Sequence, residues 1–330
     1  MNYKSNLKQF NRINLTKNIS KFVIILILVA LLFFLILFIS DYGLDGLMFQ
    51  INKEIIIVMF LASFGLGCSS FIVQSISNNK LADTSILGIS SINLLSLIIM
   101  VLFLNLGDQN SLNTFLFFKP IIFIFISVLA SISIYLLSQK NKYQISKKFV
   151  LAGILINFCF SAIASGVTVL LPSTKKQILT GYINGKIENV NDIELYFAIG
   201  AIILSLIWMY MIIKKFKITT TNVYVAYQLG INIKSIYFQS LIISGILTGA
   251  AFLMCGNVVF LGLLGANIAY TIFKKNYKYS FISSGLISFV ILGLTFFINR
   301  NLLTSTNINT AYLIPLIAAP YFLYLVIKKN

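Results

Sequence analysis

Phe22–Ser40 reads FVIILILVALLFFLILFIS, 19 residues without a charge and with one hydroxyl, at its end. About 20 apolar residues in a helix rising 1.5 Å per residue match the roughly 30 Å hydrocarbon core of a bilayer. Residues 1–21 before it are polar and carry Lys4, Lys8, Arg12, Lys17 and Lys21. A basic segment ahead of an apolar run also opens secretory signals, but those apolar runs span only about 7–15 residues and lead to a small-x-small cleavage site. No such site follows here, so the stretch is read as a first span behind a cytoplasmic N-terminal segment, 1–21.

The same pattern repeats along the chain. Further charge-free apolar stretches fall near 55–76, 85–104, 120–137, 149–171, 195–213, 236–254, 257–273, 280–298 and 311–327, with the ionisable residues between them. The 330 residues are 58% hydrophobic and 10% charged, against about 25% charged in average soluble chains. The expected fold is an all-α integral membrane protein of about ten transmembrane helices, one polytopic domain over 1–330. A tight turn at Cys255-Gly256-Asn257 is expected between the seventh and eighth spans.

Charge sets the orientation. With both termini in the cytoplasm, 19 of the 25 Lys and Arg fall in cytoplasmic segments and only Asp83 of the eight acids does. Cytoplasmic loops are enriched in Lys and Arg, so this split fits the positive-inside rule. The net charge of +17 is then a topology signal and an attraction to anionic lipid; nucleic acid is not needed to explain it. No Asp, Glu, Lys or Arg is expected at mid-membrane, which argues against ion-coupled transport, because ionisable groups there mark ion pathways. Small residues four apart, Gly65 with Ser69, Gly245 with Gly249, Gly262 with Ala266 and Gly265 with Ala269, suit close helix packing.

Chemistry is sparse. Histidine is absent and Cys68, Cys159 and Cys255 are scattered singly, so packing is their expected role and no metal site is expected. There is no phosphate-binding loop and no dinucleotide fingerprint after a strand. A membrane enzyme would have to draw on loop acids such as Glu188, Asp192 or Glu194, which read better as a solvated face.

The longest cytoplasmic loop, 214–235, reads KKFKITTTNVYVAYQLGINIKS. Thr221 or Asn222 can cap a short helix, and Gly230 can end it in the left-handed conformation. Val223, Ala226, Tyr227 and Gly230 then share one face, suited either to lying on lipid or to docking a cytoplasmic protein.

Leu61–Ser91, LASFGLGCSSFIVQSISNNKLADTSILGISS, resembles the signature of FecCD-type permeases, which serve the iron–siderophore, haem and cobalamin ABC importers. The shared positions are Leu66, Ser69, Gln74, Asn79, Leu81–Asp83 and Leu87–Ser91. Four more blocks follow in the family's order: LAGILIN (Leu151–Asn157), AYQLGIN (Ala226–Asn232), GNVVFLGLLGANIA (Gly256–Ala269) and the terminal AAPYFLYLVIKK. Departures are also visible. Lys80 and Thr84 stand for the two prolines of the N-P-L-A-D-P element, Ala266, Asn267 and Tyr270 for Pro, His and Arg, Ile92 for a glycine and Phe296 for an acid.

The resemblance implies a type II ABC importer permease without catalytic residues. Its 214–235 loop would couple to the ATPase through Ala226, Leu229 and Gly230. Asn157, Ser161, Ser165 and Thr168 on the fifth span would line the pathway, a spacing that places the first three on one face. Asn79, Leu81, Ser146 and Lys147 would form the cytoplasmic gate, and Arg300, with Lys53, would receive the binding protein. Implied partners are a second permease subunit in a homo- or heterodimer, two cytoplasmic ABC ATPase subunits that use the ATP, and an extracellular substrate-binding lipoprotein. No cofactor is expected in this chain. The implied cargo is an iron(III)–siderophore, with haem or cobalamin as alternatives, and an ion-coupled secondary transporter is the competing reading from another class. The Lys/Asn/Ile-rich composition points to an AT-rich bacterial genome and a plasma-membrane location.

Overall fold

The computed structural model describes residues 2–38, 46–105, 107–141, 144–145, 148–185, 187, 190–274, 276–302 and 309–327. Ser146 and Lys147 of the expected gate, and Glu188, lie outside the described residues.

The described elements are α1 (Asn2–Phe38), α2 (Gly46–Ser77), α3 (Ile89–Phe103), α4 (Gln109–Ser138), α5 (Lys148–Leu170), α6 (Ser173–Asn184), α7 (Asp192–Thr221), α8 (Val223–Gln228), α9 (Ile233–Cys255), α10 (Leu261–Phe273), α11 (Tyr277–Leu302) and α12 (Thr310–Ile327). A small antiparallel ribbon, β1 (Gln139–Asn141) with β2 (Gln144–Ile145), precedes α5. Seven helices are long and apolar enough to span a membrane, and α3, α10 and α12 are shorter apolar helices. One of these ten covers each stretch expected from the sequence. The two helices that no span accounts for are α6 and the six-residue α8.

α2 and α9 are the most buried of the long helices, and from Leu247 to Cys255 every residue of α9 is buried. Small residues bring the backbones together there. A Cβ added to Gly65 would lie 2.8 Å from the Leu247 carbonyl on α9, and one added to Gly245 would lie 2.7 Å from the Val128 Cα on α4. Gly67 on α2 and Gly265 on α10 face the backbone of α11 at Ser284 even more closely. The expected small-residue packing is therefore present, and it draws α2, α4, α9, α10 and α11 into one seam.

Two spans are shorter than the sequence suggests. α3 has 15 residues and α10 has 13, so each rises only about 20 Å and falls short of a bilayer core. The missing length is irregular backbone, 78–88 before α3 and 256–260 before α10. The expected tight turn at Cys255-Gly256-Asn257 is thus the start of a longer non-helical segment. Ala82–Ser85, Leu87 and Val258 within these stretches are buried. Non-helical backbone is tolerated at membrane depth only where protein covers it, and here it does.

Candidate functional site

α8 is set up by one residue. Asn222 ends α7 with an extended backbone, and its Oδ1 accepts the amides of Tyr224 at 3.0 Å and Val225 at 3.2 Å. Gly230 closes the foot at φ 68°, with no atom within 4 Å of where its Cβ would be. The cap and the stop expected from the sequence are both present. The expected shared face divides, however: Ala226 is fully buried against the body of the protein, whereas Tyr224, Tyr227 and Leu229 are exposed. Ala226 thus seats α8, and the exposed surface is aromatic and aliphatic.

The 78–88 segment is held from several sides. Asn79 Oδ1 accepts the Leu81 amide at 3.0 Å, and Asn267 Nδ2 on α10 donates to the Lys80 carbonyl at 2.7 Å. Asp83, 1% exposed, accepts hydrogen bonds from the hydroxyls of Ser70 and Ser85. A buried carboxylate is tolerable only when its oxygens are satisfied, and the two hydroxyls reach one oxygen each. Asn267 has a structural task of its own in holding the Lys80 carbonyl.

The same segment abuts α5. Gly88 adopts φ 85°, and a Cβ there would sit 2.8 Å from the Asn157 amide. The expected gate residues Asn79 and Leu81 and the first expected pathway residue therefore belong to one packed unit. From Asn157 a ladder of hydroxyls runs along α5: Ser161 Oγ donates to Asn157 Oδ1 at 3.3 Å, Ser165 to the Ser161 carbonyl at 2.8 Å, and Thr168 to the Ser165 carbonyl at 2.7 Å. Thr168 opens onto a cleft of about 260 Å³, bounded by Val169 and by Lys176, Leu179, Thr180 and Ile183 of α6. Much of the rest of α5 faces outward, with Leu155, Phe158, Ile163 and Val169 exposed. α5 packs on α3 and α4 and leaves a long flank uncovered.

At the opposite end from α8, Arg300 Nη1 donates to Asn52 Oδ1 at 2.6 Å, and the guanidinium lies 5.9 Å from the Phe296 ring centroid. Arg300 is partly buried and oriented by its own chain, whereas Lys53 is exposed. On the same end lies a group that the sequence reading misplaced. Glu194 is 3% exposed and paired with Lys119, so it is no solvated face. The ammonium also donates to Tyr182 Oη at 2.8 Å and lies 5.2 Å from that ring. The pair ties α4, α6 and α7 together at the end of the bundle where α7 begins. The signal available was that Lys119 and Glu194 both border apolar runs; their mutual contact depends on tertiary structure.

Among the described residues no group of three or more His, Cys, Asp or Glu could hold a metal ion.

The FecCD transport family profile matches residues 40–328. The chain is similar to the petrobactin import system permease protein YclO of Bacillus subtilis, 26% identical over 284 residues, covering 85% of this chain and 88% of the relative. It is also similar to the iron(3+)-hydroxamate import system permease protein FhuG of the same species, 25% identical over 86% of this chain and 84% of that protein. The hemin transport system permease protein HmuU of Yersinia pestis is 24% identical over 83% and 81%. Among solved structures, a metal-chelate type ABC transporter in an inward-facing conformation superposes with a TM-score of 0.78 at 19% identity, over 94% of this chain and 99% of the other. Five ordered sequence blocks, ten apolar helices and a near full-length match agree: this multi-pass membrane protein belongs to the FecCD transport family, as a permease of the ABC-importer type and not an enzyme.

Proposed function

We propose that this chain is the membrane permease of a binding-protein-dependent importer for iron(III)–siderophore complexes in a bacterial plasma membrane. The observation that carries this reading is the neutral ladder from Asn157 to Thr168, opening onto the cleft beside α6. Uncharged hydroxyls that spend their own protons within α5 still offer acceptor oxygens, which can contact a large polar chelate without holding it, and relatives named for petrobactin and hydroxamate import share most of the chain.

In this reading both termini are cytoplasmic and the exposed flank of α5 meets a second permease subunit, a copy or a paralogue, across the pathway. Leu229 and Gly230, seated by Ala226, transmit motion from two ATPase subunits that use the ATP, while this chain holds no cofactor. Asn79 and Leu81, with Ser146 and Lys147, close the inner end. Arg300 and Lys53 receive an extracellular binding lipoprotein, and rim charges of this kind govern recognition and association rate.

Uptake assays with labelled ferric siderophores, haem and cobalamin, in cells with and without this gene, test the reading. Loss of ferric siderophore uptake alone is expected. Loss of haem or cobalamin uptake alone would reassign the cargo. Uphill accumulation by vesicles holding only this polypeptide would overturn the reading entirely.

A further inference from the structure

Three chain-distant segments converge at the end of the bundle that carries α8. Lys21 Nζ on α1 donates to the Ile272 carbonyl at 3.1 Å, in the last turn of α10. Phe22 packs edge-on against Tyr279 of α11 with centroids 5.6 Å apart, and Tyr279 stacks on Phe273 at 5.7 Å. Lys278 lies 4.6 Å from the ring centroid of Tyr210 on α7, one turn before Lys214. Lys17, Lys21, Lys214, Lys274 and Lys278 are all exposed. Among the described residues the one ion pair is Lys119–Glu194, so none of the five has a carboxylate partner there.

Like charges gathered without a counter-ion repel one another, and the contact that fixes Lys21 uses only one of its three N–H donors. The composition of the flank identifies what neutralises them. One to two turns from the lysines, along the same helices, the surface is aliphatic: Ile24, Ile27, Ile207 and Ile282 are exposed. Tyr210 and Tyr279 stand at the boundary, where amphipathic rings favour the membrane interface. A cationic rim over an apolar flank matches one molecule that is anionic at its head and aliphatic below.

We propose that the rim formed by Lys21, Lys274 and Lys278 is a binding site for the headgroup of an anionic phospholipid, whose acyl chains lie along α1 and α11. A basic patch at a helix junction on the cytoplasmic face is suited to such headgroups. Assignment to the inner leaflet rests on the orientation proposed above; the site itself does not.

The test is native mass spectrometry of the full-length protein, delipidated in detergent and titrated with phosphatidylglycerol or with phosphatidylcholine of the same chains. Phosphatidylglycerol is expected to be retained roughly tenfold more strongly or better. The triple variant Lys21→Gln, Lys274→Gln, Lys278→Gln loses that preference, and the triple Arg variant keeps it. Equal retention of the two lipids by the wild type would overturn the proposal without any variant. So would a Gln triple that still prefers phosphatidylglycerol. A Gln triple that binds the lipid normally but no longer co-purifies with an ATPase would make the rim a protein interface. Binding in detergent is independent of sidedness and cargo, so failure here is distinguishable from failure of the functional reading.

Discussion

The carboxylate of Asp83 accepts the hydroxyl of Ser70, tying the irregular segment before α3 to α2. Ser85 donates its hydroxyl to the other oxygen of the same carboxylate from within the segment. Asp83→Ala strands the Ser70 and Ser85 hydroxyls, at about 1–3 kcal/mol for each buried group left unsatisfied. A lower thermal midpoint is expected in detergent, with Asp83→Asn, which keeps one acceptor, in between. An Ala variant as stable as wild type would contradict this account.

The Lys119–Glu194 pair leads to a non-additive result. Removing one partner leaves a buried charge uncompensated, which costs about 3–5 kcal/mol. Lys119→Met with Glu194→Leu removes both charges and is expected to be more stable than either single variant. A double-mutant cycle on thermal midpoints measures this, and simple additivity would refute it.

Gly265 and Gly166 should respond differently to the same change. A Cβ on Gly265 collides with Ser288 and Ser284 of α11, whereas one on Gly166 meets no atom within 4 Å. Gly265→Ala is expected to lose about 1–3 kcal/mol through overpacking, and Gly166→Ala to leave folding intact. Because Gly166 lies on the exposed flank of α5, size-exclusion chromatography of its Trp variant also tests whether a second subunit packs there.

Gly230→Trp is expected to fold, since space is open around the position, at about 1–2 kcal/mol for the left-handed backbone. Chelate uptake is expected to fall at least tenfold while the protein level is unchanged. Normal uptake would remove α8 from the coupling route.

The membrane class and ten apolar helices were legible because composition and run length act locally. Asn222 and Gly230 were legible for the same reason: capping and left-handed backbone are decided within a few residues. The lengths of α3 and α10 were not. Runs such as Gly256–Phe260 are as apolar as a helix, and only contacts far along the chain, such as the Asn257 amide on the Tyr182 carbonyl, tell where the helix begins. The inward turn of Ala226 and the burial of Glu194 likewise depend on partners far along the chain. At α5 the polar ladder was readable as a four-residue spacing, but its meeting with Gly88 was not.

The glycine-lined seam also limits which motions the protein can make. Where backbones touch with no side chain between them, sliding by even a fraction of a helical turn would drive carbonyls into one another. α2, α4, α9, α10 and α11 must therefore travel as a rigid block, and any rocking between inward and outward states has to be absorbed at its periphery, where the sparsely covered α5 meets Pro172 and the separately moored α6.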